Sequence, residues 1–210
     1  MRIETTESKV KAVEFIGDGK WAVRWDLRPK LNENGQQIDN IYWYEEHLYN
    51  HIPQIEEIKE LITFWHNKQI DGAILNGHTY KGINVLLSAE NQANFKALFD
   101  RATQIENAIK EWDNNNPELA GKNIITEIGI KEDGTEEEVY VSTTRPESLL
   151  PITFKLGTDK NPNYYKFTTI EELTNFYDTG LRYIQSCYLV GWTQLAQFNW
   201  GVYADAIAEL

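Results

Sequence analysis

Histidines His47 and His51 stand four residues apart and follow Glu45 and Glu46, a grouping of metal-ligating side chains. On a helix that spacing would turn both imidazoles to one side, where they could chelate zinc. The order Glu-Glu-His-Leu-Tyr-Asn-His is not the metalloprotease pattern, however, and the segment reads as the end of a strand. His66 and His78 lack flanking acid and base partners. Ser88, His78 and Asp71 could form a hydrolase triad, but no Gly-x-Ser-x-Gly elbow surrounds Ser88, which reads fully as a helix cap. The glycines sit at turns rather than in a Gly-x-Gly-x-x-Gly or Walker-type loop. The acidic run from Glu132 to Glu138 lacks calcium-loop spacing and reads as a solvated hairpin tip. A glycosidase needs paired carboxylates in a cleft flanked by aromatics, and nothing in the sequence pairs its many acids. The one cysteine, Cys187, excludes an intrachain disulfide and lies in a helical pattern, as expected of a buried, inert thiol. No catalytic, cofactor-binding or metal-binding residue is assigned, and a non-enzymatic protein without cofactors is expected.

The net charge of −12 decides which partners fit. Binding nucleic acid or an anionic membrane surface takes a cationic face, and this chain is acidic. No apolar run approaches the ~20 residues needed to cross a bilayer. The first eight residues are polar and lack the apolar stretch of a signal peptide, so folding in a cytoplasm is expected. With 41% hydrophobic residues over 210 positions, the chain can bury a substantial core. Contact with other proteins is the remaining expectation.

The elements follow from periodicity and turn chemistry, and they predict an α+β fold. Lys9 to Ile16, Lys20 to Leu27 and Ile41 to Tyr49 read as a three-stranded antiparallel meander, with Gly17-Asp18-Gly19 as its first tight turn. Trp21, Val23, Trp25 and Leu27 alternate onto one face, and Trp21, Trp25 and Trp43 are expected to pack against the rest of the chain. Leaving such a face in water would forgo about 1.5–3 kcal/mol per large side chain. Gln54 to Asn67 is an amphipathic helix carrying Ile55, Ile58, Leu61, Ile62 and Trp65, and Asp71-Gly72 should end it. Short strands punctuated by Asn76-Gly77 and Gly82 follow. Ser88 caps a helix running to about Asp113. A surface hairpin over 122–144, two strands at Pro151 to Leu156 and Tyr164 to Phe167, and a capping box at Thr168 and Thr169 come next. From there helical periodicity runs almost to the end. Unbroken from 170 to 208, that helix would reach about 57 Å, more than the roughly 43 Å of a compact globule this size. It must therefore break near Gly191 or Gly201, or project. Two domains are expected: a strand-rich module at 1–52, and a helical α+β domain at 53–210 with a surface insertion at about 113–150.

Several stretches resemble an uncharacterised domain of phage and prophage proteins. They are Ile74-Leu75-Asn76-Gly77, Val85 through Ala97, Leu150-Pro151-Ile152-Thr153-Phe154-Lys155-Leu156-Gly157, and Gly191-Trp192, with Arg24-Trp25-Asp26-Leu27 similar to a strand that precedes it. That family is encoded among tail genes, is well represented in Bacteroides-type phages, and is related to domains in tail-fibre assembly-like proteins. The resemblance implies a virion structural protein of the tail tip, fibre or adaptor region, with other phage structural proteins as partners. An assembly chaperone absent from the mature particle is the alternative, and an enzyme acting on host polysaccharide a weaker one. A homo-oligomer, or a subunit of a larger assembly, is expected. Gly180 and Gly191 lie eleven residues apart on one helical face, where a neighbouring helix could approach. Trp192, Trp200 and Tyr203 are the expected interface anchors, because aromatics concentrate at protein contacts. A helix folded back onto its own core is the competing reading for them.

Overall fold

The computed structural model describes residues 1–210, and helix and strand make up 40% and 30% of them, so the fold is α+β as expected. Four strands come first: β1 (Arg2–Thr5), β2 (Val13–Gly17), β3 (Lys20–Leu31) and β4 (Gln37–Tyr49). The helix α1 (Ile55–Gly77) and the strands β5 (His78–Tyr80) and β6 (Ile83–Val85) follow, then the helix α2 (Ala89–Asn115). Two further hairpins, β7 (Ile124–Ile130) with β8 (Glu136–Ser142) and β9 (Ile152–Lys155) with β10 (Tyr164–Phe167), lead to α3 (Ile170–Ala196) and α4 (Gly201–Ala208).

The chain packs as two compact units, one of Met1–Asp71 with Tyr188–Leu210, the other of Gly72–Cys187. This differs from a boundary near residue 52, and the reason lies in α1. Its Ile55, Ile58, Leu61, Ile62 and Trp65 pack against Val13, Val23 and Trp25 of the sheet, so the first stretch of α1 belongs with the strands. Tyr203, Ala206 and Ile207 of α4 join the same core from the far end of the sequence.

In the first unit the sheet is antiparallel with the order β1-β4-β3-β2. Gly17, Asp18 and Gly19 all take positive φ (95°, 51° and 70°), the geometry a tight turn between β2 and β3 requires. Trp21, Val23 and Trp25 alternate into the core as their spacing dictates, and Trp25 is only 6% exposed. The alternation stops at Asp26, whose φ of +56° marks an irregularity in the β3–β4 register between Trp25 and Arg28. Leu27, expected on the apolar face, therefore falls outside the core. Arg24 points to the opposite face, donating from Nη1 to Glu14 Oε2 (2.7 Å) and from Nε to Glu46 Oε2 (2.8 Å). Those ion pairs satisfy charges that burial would otherwise penalise heavily.

Two expectations about this sheet need correction. It has four strands rather than three, because β1 pairs with the edge of β4, where Arg2 donates to Glu45 Oε1 at 2.8 Å. The short, polar β1 carries no apolar alternation to reveal it. Trp43 is also outside the core: the charged ends of Arg2 and Lys30 lie 5.2 and 5.5 Å from its ring, and its Nε1 donates to Glu4 (3.3 Å). Cation–π contacts cover this indole in place of apolar packing.

The second unit is built on aromatic packing. Phe95 stacks on Phe154 with centroids 4.9 Å apart and meets Phe176 edge-on at 5.2 Å, while Phe167 and Tyr80 complete the cluster. Ser88 caps α2 as expected, accepting from the Asn91 amide on Oγ (3.2 Å). Thr169 caps α3 by accepting from the Glu172 amide, and Glu172 reaches back to the Thr168 amide. Asp71-Gly72 does not end α1, which continues to Gly77, since one interior glycine costs only ~1 kcal/mol and Ile74 gains burial. Asn76-Gly77 consequently closes a helix instead of turning a hairpin. The turn between β5 and β6 falls on Lys81-Gly82, both at positive φ (48° and 79°).

The final helical run breaks near Gly201, one of the two places expected. Gly191 does not break it; the interruption falls between Ala196 and Gly201, and Gly201 opens α4.

Candidate functional site

The residues singled out for chemistry are dispersed or already engaged. Tyr49 stands between the two neighbouring histidines, 4.8 Å from the His47 ring and 5.5 Å from that of His51. His51 is turned to Glu57 (3.0 Å), and Glu45 and Glu46 are buried in the ion pairs of the first sheet. No group of three or more His, Cys, Asp or Glu side chains is arranged to hold a metal ion. Ser88 Oγ is occupied by its cap, and His78 is buried against Tyr183, ring centroids 5.2 Å apart, with burial lowering its pKa. Cys187 is half-buried rather than fully buried. It contacts the Tyr183 hydroxyl, which burial first and this contact second push up to about 12.

Glu172 is the most strongly perturbed carboxylate. Hydrogen bonds from Lys81, then from Tyr165, hold its pKa down at about 2. Lys81 also donates to Tyr165 Oη at 2.7 Å, so the three side chains tie the β5–β6 and β9–β10 hairpins to the start of α3. The group is a structural clasp in its geometry, with every member satisfied.

The five expected interface residues divide into three kinds. Tyr203 is 3% exposed and donates from its hydroxyl to the Arg24 carbonyl (2.9 Å), so it is a core residue of its own unit. Burial raises its pKa well above the ordinary tyrosine value. Trp200 is half-buried beside Phe198, centroids 4.6 Å apart, and packs on the same core. Gly191 serves a close helix approach, but to α1: a Cβ there would lie 2.3 Å from Ile70 side-chain carbons. The folded-back reading therefore holds for these three. Gly180 is different, since a Cβ there would meet only His78 Nε2, at 3.9 Å. It lies in an open apolar groove of about 280 Å³ with Phe95, Phe176, Tyr177, Leu181 and Ile184. Only Trp192 stands out in solvent, 60% exposed and stacked on Tyr188 at 5.3 Å.

Two apolar surfaces are uncovered, one of them unexpected from the sequence and the other around the expected anchor Trp192. One is the β7–β8 ribbon, which leaves Ile124, Ile128, Ile130 and Tyr140 bare; Ile130 is 77% exposed. The register places all four on one face, because Thr126 between the isoleucines pairs with Tyr140. Its base is fastened by Arg145, which grips Asp113 with Nε (2.7 Å) and Nη2 (2.9 Å). The alternation of isoleucines in 124–130 was the available signal. The other surface surrounds Trp192 on α3, with Leu189 and Val190 also exposed. Its signal was the lack of any charged residue between Arg182 and Asp205.

Fold and surfaces together define an α+β chain of two compact units that leaves apolar faces bare on the β7–β8 ribbon and around Trp192. Compared with known proteins, the chain matches no family model, no curated protein and no solved structure.

Proposed function

We propose that this protein is a non-enzymatic structural component of a phage tail, in its tip, fibre or adaptor region, that works through contacts with other virion proteins. The observation that carries the contact reading is the bare β7–β8 ribbon. A two-stranded hairpin is marginal in water unless something packs on it. This one holds Ile124, Ile128, Ile130 and Tyr140 out on a single face. Glu138 and Glu136 lie on that face opposite Ile128 and Ile130, and Glu132 and Asp133 follow at the turn beside Lys131, so a partner with a cationic rim fits it. The tail assignment rests on the resemblance carried by Ile74–Gly77, Val85–Ala97, Leu150–Gly157 and Gly191-Trp192. Assembly would take place in the bacterial cytoplasm and leave the chain in the virion.

Mass spectrometry of purified particles tests this. The expected result is a chain present in fixed ratio to other tail proteins. Abundance in infected cells with absence from particles would replace the reading with that of a fibre-assembly chaperone.

A further inference from the structure

The second half of α3 presents an apolar face that nothing in its own unit covers. Gly191 is turned inward against Ile70. At 100° per residue, Leu189 and Thr193 therefore lie on the far side of the helix, flanked by Trp192 and Val190. Leu189 is 66% exposed and Val190 57%. Trp192 is held in place by its stack on Tyr188, with the rings inclined at 26°. An ordered aromatic gives up little freedom when it is buried by a partner. The four side chains expose on the order of 400 Å² of apolar surface, within the range at which a patch marks an interaction site.

We infer that this face is where a second copy of the chain docks, α3 against α3. Charge decides the occupant. Two copies each carrying −12 repel wherever their acidic surfaces meet. From Tyr183 through Ala204 there is no charged residue, so here two copies meet without opposing carboxylates. The same neutrality gives a strongly basic or acidic partner nothing to recognise. A two-fold axis brings one patch against its equal, and an uncharged apolar patch with polar Thr193 and Gln197 beside it is compatible with itself. With that rim, both sides together bury roughly 1,200 Å², the lower end of specific interfaces. Weak, transient contacts lie at that end of the range, and a dimer that dissociates in the micromolar range is the expectation. The inference rests on the protein-contact reading above and is independent of the tail assignment.

Sedimentation of the full chain over about 1–200 µM, the span that resolves micromolar association, tests it. The expected result is a shift from the 24.4 kDa monomer toward twice that mass. Leu189→Glu and Leu189→Lys should each weaken association at least about tenfold (~1.4 kcal/mol), with unchanged circular dichroism because the site is exposed. Mixing the two variants should restore dimers, since opposite charges then face each other. Thr193→Lys, a polar site on the same face, should act as Leu189→Lys does. A wild-type chain that stays monomeric throughout overturns the inference, as does undiminished dimerisation of the substituted proteins. Virion content is measured separately, so a monomer found in particles would defeat the dimer and leave the tail reading standing.

Discussion

Strands β3 and β7 carry the same kind of message and meet different fates. In β3, Trp21, Val23 and Trp25 alternate onto one face, and α1 with α4 covers them. In β7, Ile124, Ile128 and Ile130 share a face just as regularly, and all three remain exposed. The β5–β6 hairpin is a third case: it has Tyr80 and Val85 in an aromatic core and Lys81 locked to Glu172 at its turn. Alternation says which face is apolar. Whether that face is covered depends on where the rest of the chain runs, and a strand whose face stays bare has its packing partner outside the chain or none.

The largest effect should come from the covered sheet. Trp25→Ala removes a buried indole that meets Trp65 edge-on at 6.2 Å, and should cost about 3–5 kcal/mol in chemical denaturation. A cost below ~1 kcal/mol would mean that the sheet face is no better packed than the ribbon. The two glycines of α3 sharpen the contrast at a smaller scale. Gly191→Val would drive a side chain into Ile70 and should destabilise by about 1–3 kcal/mol. Gly180→Ala meets only ordinary contact and should stabilise by about 0.5–1 kcal/mol, as expected for glycine replacement in a helix. Thermal melts of the two variants should move in opposite directions.

The clasped hairpins should show a marked pH dependence through Glu172. Glu172 titrates near 2 in the fold against an ordinary 4.5, so between those values the unfolded chain binds more protons than the folded one. Its contribution is present above about pH 4.5 and is lost as the pH falls toward 2. Glu172→Gln should lower stability at neutral pH and flatten that acid limb. An acid limb identical to that of the native chain would show that the clasp contributes nothing. The smallest effect belongs to the ribbon. Replacing 124–142 with a short glycine linker should change stability by no more than ~1–2 kcal/mol, and Ile128→Thr by no more than about 0.5 kcal/mol. An insoluble deletion product would place the ribbon among the elements the fold needs.

Much of the fold was legible because local rules act over a few residues. The apolar positions of α1 from Ile55 to Trp65, the Ser88 and Thr169 caps and the Gly17-Asp18-Gly19 turn all stand where periodicity and capping chemistry put them. The interface candidates were less legible. Gly191, Trp200 and Tyr203 were expected at an interface with another chain, yet the contacts they make lie within this one, with Trp192 left outward. An aromatic that will fill a core and one that will fill an interface look alike in sequence, because both are selected for buried area.

The sequence by itself determined the acidic charge, the α+β class, the faces of the helices and the places where helices begin, since each depends on neighbours within about one turn of the chain. Tertiary structure alone decided that α1 runs through Gly72, that Trp43 is covered by Arg2 and Lys30, and that Tyr203 closes the first core by donating to Arg24. It also decided that the β7–β8 ribbon and the Leu189–Trp192 face stay bare. Each of these outcomes turns on residues distant in sequence competing for the same buried space, and burial is a property of that packing rather than of any one segment.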